Sequence, residues 1–455
     1  LVRVEVINQG SVTSAAVHVR GPGVSERIPI EPVEPGESVH EVFIPEIDRN
    51  TIILFTLASN GSKSDSRRAE WVPPKHWRVH VVQCSHHDAG YTNLPQDAVR
   101  EHEAFLDKAI DFAEATRGFP PESQFKVVVE QAWSIDRFLR VAPQERKERM
   151  VELLRSGHVE ITALFGNMIT EICGHESLTR TLYPAFRIKR EYGVPVVSAE
   201  LNDVTGMSWG LCRVLADAGI KIFCPGLPLY YTWSDVKMRS FWDWEVLFGG
   251  EDLPGAFWWE SPDGNRILLW CSHSGCGGDS RTDLPGLARR LQDLTERGYP
   301  YDVLRWVVQG AKRDNSPYTD GYARTINRWT GQWEYPKLIC GTNATFYEDF
   351  KKVIPEDLPV FKGELAGQDY PVGAASTATS TGVNRLNHIS LTGAERLAVF
   401  ASRVGERPYP KRKICEAYEG AIWYDEHTWG HHFPCGPAAE ASRAEKSVHA
   451  YRAAA

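Results

Sequence analysis

The sequence predicts an α/β protein whose largest domain is a parallel sheet or barrel with helices on its outside. From residue 78 onward, short apolar runs alternate with helical stretches, as in "RVHVVQ" at 78–83 followed by "DAVREHEAFLDKAIDFAEA" at 97–115. A similar succession occurs at 125–157 and again at 194–219. This alternation is typical of βα units, in which parallel strands form the interior. In such folds, catalytic side chains gather where strands end and the next loops begin.

The regions on either side of this domain have different patterns. Residues 1–74 contain alternating runs such as "VRVEVIN" and "TIILFTLAS", separated by Gly, Pro, Asn and Ser turns, which predict a small β-sandwich. The prolines of "WVPPKHW" at 71–77 disfavour helix and predict an extended linker. Helical patterns dominate after residue 385. The predicted layout is therefore a β-sandwich at 1–74, an α/β barrel domain at 75–384 and a helical bundle at 385–455.

Composition narrows the classes of partner. The net charge of −8 comes without long runs of one sign, so we expect no nucleic acid and no anionic membrane surface as a partner. No apolar stretch approaches the roughly 20 residues that span a bilayer, so we expect no membrane insertion. The nine cysteines include no CxxC pair, which argues against a disulfide framework and against a thiolate zinc site. The chain begins at Leu1 without a signal peptide, and we expect a trimmed, exported protein.

Two segments place metal-binding side chains where a predicted strand ends. In "CSHHDAG" at 84–90, His86 and Asp88 are two residues apart, so in extended chain they point to the same side and could bind one cation. In "ELNDVTGMSWG" at 200–210, an apolar strand is followed by Asn202 and Asp203 before a helix that begins near Ser208. Both segments are also compatible with ordinary turns, because Asn and Asp often stabilise them.

Two further segments add candidates for a site. "WYDEHTWGHH" at 423–432 supplies Glu426 and His427 in the helical region, where histidines could also simply stabilise the end of a helix. "GELAGQDYPVGAAST" at 363–377 supplies Glu364 and Asp369 in a glycine-rich loop. Loops carry function more often than strands do, but either carboxylate could be a solvated surface group.

Taken in order, these four segments resemble the sequence blocks of glycoside hydrolase family 38, the zinc-dependent retaining α-mannosidases. "VVQCSHHDAGY" is similar to that family's "VVPHSHNDPGW" block, which implies that His86 and Asp88 are metal ligands. "ELNDVTGMSWG" is similar to the "IDPFGHS" block, which implies that Asp203 is both nucleophile and metal ligand. "YDEHTWG" resembles the "QHHDxxTGT" block, which implies that His427 is the fourth ligand. "GELAGQDYPVG" resembles the loop that carries the acid/base, for which Asp369 is the better match.

The chain also departs from the pattern of the family. Tyr91 replaces a Trp that stacks on sugar, Thr428 replaces an Asp that touches substrate, and Cys84 replaces a His beside the first block. The segment "NHISLTGAE" at 387–395 offers His388 as an alternative fourth ligand. His427 is preferred, because "VNRLNHISLTGAERLAVFAS" resembles the helix that precedes the fourth-ligand block.

The resemblance implies a (β/α)7-type barrel that holds one Zn²⁺ per chain and cleaves terminal α-mannosyl residues. Two His and two Asp ligands form the mixed nitrogen and oxygen set that zinc accepts. The implied reaction is the two-carboxylate retaining scheme, with Asp203 forming a covalent glycosyl-enzyme and Asp369 acting as acid and then base. A carbohydrate is thus the expected partner, and a homo-oligomer is compatible with the sequence.

Further side chains are candidates for contact with the sugar. Glu130, Asp314 and Asn315 follow predicted strands, where they could bind hydroxyl groups. Three aromatic residues could stack on sugar rings: Tyr91, Trp133 and Trp429. Each of these residues could instead have a purely structural role.

Two other functions remain open at this point. A metal-dependent polysaccharide deacetylase also uses His and Asp ligands, although no H-x-x-x-H pair follows the first Asp at a useful distance. A catalytically silent carbohydrate-binding protein is the second alternative, because the acid/base loop is short and divergent.

Overall fold

The computed structural model describes residues 2–60, 62–204, 206–225, 256–270, 284–296, 299–310, 315–365, 376–405 and 407–455. The chain divides into two compact units, Leu1–His76 and Trp77–Ala455.

The first unit is built from antiparallel strands. Its strands are β1 Val2–Asn8, β2 Thr13–Gly21, β3 Val24–Val33, β4 Gly36–Val42, β5 Thr51–Ser59 and β6 Ser62–Trp71. They form a two-stranded sheet, β1-β4, and a four-stranded sheet in the order β3-β2-β5-β6. Val17, Val42 and Ile53 come from both sheets and share one buried apolar cluster. Burial of these alternating residues stabilises the two sheets against each other.

Two strands of this unit lie outside the runs that predicted strands. β3 contains Pro29 and Pro32, and β6 reads "SKSDSRRAEW" with almost no apolar residue. Both are edge strands of the four-stranded sheet. An edge strand pairs on one side only, so it tolerates proline and a polar sequence that a central strand would not.

The second unit is an α/β fold with mixed sheets. Its strands are β7 Arg78–Gln83, β8 Val127–Val129, β9 Val159–Ile161, β10 Ser198–Ala199, β11 Ile222–Phe223, β12 Ala256–Glu260, β13 Arg266–Trp270, β14 Val303–Val308, β15 Lys337–Gly341 and β16 Val360–Lys362. β7 lies between β14 and β15, all parallel, and β8 pairs with β9 in parallel. The largest sheet has the order β10-β11-β13-β12-β16, in which β12 runs antiparallel to β13. No sheet closes into a barrel among the residues that the structure describes.

Helices surround these sheets. They are α1 Pro95–Ala115, α2 Ala132–Val141, α3 Gln144–Ser156, α4 His175–Arg180, α5 Tyr183–Tyr192, α6 Trp209–Asp217, α7 Leu284–Glu296, α8 Gly321–Thr330 and α9 Asn343–Phe350. The helix predicted at 97–115 is confirmed as α1, and the helical parts of the successions at 125–157 and 194–219 are confirmed as α3 and α6. In α1, Leu106, Ala109, Ile110 and Ala113 are buried, which is the helical spacing of one apolar face. None of the described helices is long and apolar enough to cross a membrane.

The chain ends in three helices that pack together: α10 Ala378–Val404, α11 Lys411–Asp425 and α12 Pro437–Ala454. Leu391, Ile414 and Ala453, one from each helix, belong to one buried cluster. Helix α11 ends at Asp425, because Glu426 adopts an extended conformation with φ −61° and ψ 143°. Glu426 and His427 therefore lie just after α11 and not within it.

Asp349 of α9 fixes that helix against β7. Its Oδ2 accepts hydrogen bonds from Arg78 Nη2 at 2.6 Å and from His80 Nε2 at 3.1 Å. The hydrogen bond from His80, together with those from Lys352 and Arg78, holds the pKa of Asp349 well below its usual range, although partial burial acts in the opposite direction. A carboxylate with a lowered pKa in the folded state stabilises the fold above its unfolded-state pKa.

We expect Asp349→Asn to lower the free energy of unfolding at pH 7 by about 1–3 kcal/mol, because it removes a charged acceptor shared by two cations and a histidine. The difference from wild type should shrink as the pH falls below about 4, where the unfolded carboxyl becomes protonated. Urea unfolding followed by circular dichroism at 222 nm would measure this, since the described helices all lie in the second unit. The exposed Asp357→Asn is the matched control. A difference that stays constant down to pH 3 would contradict this account.

Candidate metal centre

Four side chains from distant parts of the chain converge in the second unit. His86, Asp88, Asp203 and His427 each offer one ligand atom, and these four atoms all lie within 4.8 Å of one another. His86 and Asp88 follow β7, Asp203 follows β10, and His427 follows α11. The ends of two strands and of one helix thus meet at a single point.

The ligand atoms face a common space. His427 Nε2 lies 3.0 Å from Asp88 Oδ1 and 3.9 Å from Asp203 Oδ2. His86 Nε2 lies 3.5 Å from the same Asp88 oxygen. His86, Asp88 and His427 are buried, whereas the side chain of Asp203 is 18% exposed. The group is therefore closed on the side of the two histidines and accessible at Asp203.

Several polar atoms of this group are left without hydrogen bonds. His86 Nε2, His427 Nε2 and Asp88 Oδ2 are buried and have no hydrogen-bond partner among the described residues. Such atoms are costly to bury unless a ligand satisfies them. Two imidazole nitrogens and two carboxylates form a donor set that zinc accepts. The residues present thus fit a divalent metal ion.

The charge around the two histidines also favours a cation. Burial alone would lower the pKa of His427, but Glu426 and Asp88 raise it to about 10. Burial likewise acts to lower the pKa of His86, yet Glu130 and Asp88 raise it well above its usual value. Buried carboxylates thus surround both imidazoles, and they create the negative potential that a bound metal ion would neutralise.

Asn315 holds the loop that carries Asp88. Its Oδ1 accepts a hydrogen bond from Asp88 N at 3.0 Å, and its backbone N donates to His86 O at 2.8 Å. Its Nδ2 donates to Gly90 O at 3.2 Å and to Thr92 Oγ1 at 2.8 Å. Asn315 was predicted to contact sugar. Its amide is hydrogen-bonded to the loop that carries Asp88 and so shapes the site, and the contact with sugar stays a prediction.

Asp203 is held in an unusual backbone conformation. Its φ is +55°, in the left-handed region that non-glycine residues seldom adopt, although Asn and Asp do so more readily than most. The preceding residue is anchored, since Asn202 N donates to Asn167 Oδ1 at 2.9 Å and Asn202 Nδ2 donates to Glu130. A conformation of this kind, fixed by its neighbours, is common at functional sites.

Glu130 lies directly behind His86. Its Oε1 is 3.1 Å from His86 Nδ1 and accepts hydrogen bonds from His87 N at 2.7 Å and from Asn167 Nδ2 at 2.9 Å. Its Oε2 accepts from Asn202 Nδ2. The sequence suggested Glu130 as a group that binds sugar hydroxyls. Both of its oxygens are occupied by protein groups, and this carboxylate supports a candidate ligand from behind.

The aromatic candidates occupy different environments. Tyr91 is 42% exposed and pairs through its backbone with the segment after His427, where Tyr91 N donates to Gly430 O at 3.1 Å. Trp133 is buried, with its ring 4.7 Å from His87 and 4.9 Å from Trp423 between centroids. Trp429 is also buried, against Tyr424. Only Tyr91 of these three has an exposed ring.

His388 lies outside the four-residue group. Its Nε2 is 3.0 Å from Asp425 Oδ2, and its Nδ1 lies 2.8 Å from Ser177 Oγ. This polar contact fixes the last residue of α11, two positions before His427. The geometry thus brings His427, and not His388, to the other candidate ligands. Asp314 and Asp369 lie outside the described residues.

Lys446 and Asn167 contact this region but were not singled out from the sequence. Lys446 lies on the buried face of α12, at helical spacing from Ala439, Ser442 and Ala450. A lysine in a row of small residues on an otherwise buried face is a sequence signal for a paired internal cation. Asn167 has no comparable signal, because its contacts arise only when three loops meet.

The chain is similar to known proteins in its sequence pattern and in its fold. Residues 76–364, more than half of the chain, match the family model described as the glycosyl hydrolases family 38 N-terminal domain. The fold is similar to that of an alpha-mannosidase from Enterococcus faecalis V583, with a TM-score of 0.64 and 17% identity over 83% of this chain and 41% of that one. A protein in glycosyl hydrolase family 38 from Enterococcus faecalis gives a TM-score of 0.56 and 15% identity, over 84% of this chain and 39% of that one. This chain thus corresponds to about two-fifths of the length of both. A search of curated protein sequences found no match.

We expect the chain to retain about one equivalent of zinc after loading and dialysis, as a four-ligand site would. His427→Ala should lose this metal, because it removes one buried nitrogen ligand. His388→Ala should keep it, since His388 contacts Asp425 and not the ligand group. Elemental analysis of the purified chains measures the content, and circular dichroism checks the fold. Equal zinc in wild type and His427→Ala would show that His427 is not a ligand.

Proposed function

Because the chain belongs to glycosyl hydrolase family 38, we propose that it is a zinc-dependent retaining glycosidase that removes terminal α-mannosyl residues. The observation that carries this proposal is the convergence of His86, Asp88, Asp203 and His427 within 4.8 Å. The similarity to an alpha-mannosidase supports the fold, and the substrate is our inference for this chain.

The proposed scaffold is a (β/α)7-type barrel. Parallel pairing of β7 with β14 and β15, of β8 with β9, and of β10 with β11 and β13 supports it. A backbone hydrogen bond from Ala163 N to Ser198 O at 2.9 Å also connects the end of β9 to β10. The residues of the site other than His427 follow the carboxyl ends of β7, β8 and β10, which is the functional face of such barrels.

The four residues would hold one zinc ion per chain. When bound, such an ion supplies positive charge that orients sugar hydroxyls and stabilises charge in the transition state. The two histidines and Asp88 are buried and fixed by neighbouring groups, so their part is to bind and orient. Asp203 is the member of the group that substrate can reach.

Asp203 is the proposed nucleophile. One of its carboxylate oxygens would form a bond to the anomeric carbon while the bond to the leaving oxygen breaks. Asp369 is the proposed acid, which donates its proton to that leaving oxygen. In the second step, Asp369 would take a proton from water as the water oxygen displaces Asp203 from the anomeric carbon. Two displacements at one carbon retain its configuration.

Tyr91 is the proposed stacking surface for the sugar. Its ring is exposed, it stands three residues after Asp88, and its φ of +64° fixes the direction of the side chain from the loop. The backbone pairing with the segment after His427 attaches it to two of the loops that carry ligands. An aromatic face held beside the site can pack against the apolar face of a sugar ring.

We expect Asp203→Asn to lower kcat on aryl α-mannosides by about a thousandfold or more, because it removes the nucleophile. Asp369→Asn should lower kcat by about 10²–10⁴-fold on a substrate with a poor leaving group. The kcat of this variant should fall far less on 2,4-dinitrophenyl α-mannoside, because dinitrophenolate leaves without protonation. The variant should then release the phenol in a burst. Proton NMR of the first-formed sugar should show retained α configuration.

The matched control is Glu364→Gln, which removes an exposed carboxylate from the same predicted loop and should leave kcat unchanged. Release of acetate from acetylated polysaccharide without glycosidic cleavage would favour a deacetylase instead. Binding of mannosides without turnover, unchanged in Asp369→Asn, would identify a carbohydrate-binding protein.

A further inference from the structure

Glu426 is buried beside the candidate ligand His427 and accepts several hydrogen bonds. Its Oε1 accepts from His427 Nδ1 at 2.6 Å and from Thr428 Oγ1 at 3.1 Å. Its Oε2 accepts from Thr428 N at 3.0 Å. Both oxygens of the Glu426 carboxylate are therefore held by protein donors.

Lys446 approaches Glu426 from α12. Its Nζ donates to Glu426 O at 2.5 Å and to Trp423 O at 3.3 Å, and it lies 3.4 Å from Glu426 Oε2. The residue is only 4% exposed. An ammonium buried to this degree is costly unless it is paired, and here it satisfies both a carboxylate and two carbonyls at the end of α11. It thus fixes the backbone one residue before His427 as well as the Glu426 side chain.

These contacts determine which nitrogen of His427 faces the other candidate ligands. A carboxylate only accepts hydrogen bonds, so Nδ1 of His427 carries the hydrogen that Glu426 receives. Nε2 is then the atom directed at Asp88 and Asp203. In metal sites, a carboxylate on the second ring nitrogen fixes the orientation and tautomer of the ligand and increases its basicity.

We propose that Glu426 and Lys446 are positioning residues of the metal centre, with Lys446 acting on His427 through Glu426. The inference rests on the proposed metal-dependent function, since it requires that His427 bind a metal ion. It assigns a role to α12, a helix that supplies none of the four ligand atoms.

The direction of the change in metal affinity when Lys446 is replaced distinguishes a positioning role from a purely electrostatic one. Lys446 is a positive charge near a cation site, so its removal would by itself tighten binding of a divalent metal ion. If Lys446 instead acts by holding Glu426 and the end of α11, its removal loosens His427 and weakens binding. Weaker binding in a lysine-to-methionine variant is thus the mark of a positioning role.

The test is a double-mutant cycle on zinc affinity, measured by competition with a chromophoric chelator on the full chain. We expect Glu426→Gln to weaken binding by about 10–100-fold and Lys446→Met by about 10-fold. The double variant should lose less than the product of the two single losses, because in Glu426→Gln the Lys446 ammonium no longer has a carboxylate to hold and keeps only its hydrogen bonds to the two carbonyls. Cobalt loading gives a second readout, since a displaced His427 should shift and weaken the visible absorption bands of the bound ion.

Matched controls remove the same charges elsewhere on the same helices. Glu419→Gln on α11 and Arg452→Met on α12 alter exposed residues and should leave zinc affinity unchanged. Circular dichroism and the unfolding midpoint check the fold of each chain. If Lys446→Met does not fold, Lys446→Gln replaces it, because its amide still donates hydrogen bonds while the charge is lost.

The outcomes distinguish this inference from the function on which it rests. If wild type binds no zinc, the proposed function fails. If wild type binds one zinc and both single variants bind it equally well, the positioning role is wrong and the proposed function stands. Tighter binding by Lys446→Met, or a loss in the double variant that equals the product of the two single losses, would overturn the action of Lys446 through Glu426.

Discussion

The second unit is organised around carboxylates that are concentrated in one buried place. Asp88, Glu130 and Glu426 are almost completely buried, and Asp203 joins them at the accessible side. Negative charges that lie close together repel strongly where water is excluded. The chain offsets this repulsion with two imidazoles, one buried lysine and a set of amide donors. Many of the contacts between distant segments serve this compensation.

The need to neutralise these buried carboxylates also explains why the C-terminal helices contribute residues to the site. The matched family model ends at residue 364 and contains three of the four candidate ligands. The fourth, His427, follows α11, and its supporting groups lie at the end of α11 and on α12. Helices α11 and α12, with the residues just after α11, thus supply His427 together with Glu426 and Lys446, the carboxylate and the cation beside it. The site joins the loops after strands β7, β8 and β10 to these helices. Its contacts therefore stabilise the packing of the helices on the strands.

The sequence predicts the parts of this structure that depend on local patterns. The strands β7 and β8 and the helices α1 and α3 follow from hydrophobic periodicity, and the ligand residues were identified by their similarity to known blocks. The edge strands β3 and β6 were missed, because an edge position relaxes the pattern that marks a strand. That Glu130 and Asn315 contact sugar stays a prediction, and the support that they give to the loops of the site could not be predicted. Each lies after a strand, as substrate-binding groups do. However, Glu130 accepts a hydrogen bond from the Asn167 side chain and Asn315 accepts one from the Asp88 backbone N, which are 37 and 227 residues away in the sequence.

Thr428 shows how a departure from the family pattern fits the charge of this site. In the block that 423–432 resembles, an Asp that touches substrate stands at this position. Here Thr428 Oγ1 lies 3.1 Å from Glu426 Oε1 and 3.4 Å from Asp88 Oδ1, and it accepts a hydrogen bond from Ala89 N at 3.0 Å. An aspartate with its oxygen at that point would face two carboxylates at contact distance, and one of the three would have to take up a proton or move away. The threonine bridges the two carboxylates without adding charge. Because its hydroxyl is occupied by Glu426, Asp88 and Ala89, we expect that Thr428 does not take over the substrate contact that the resemblance implies for that Asp.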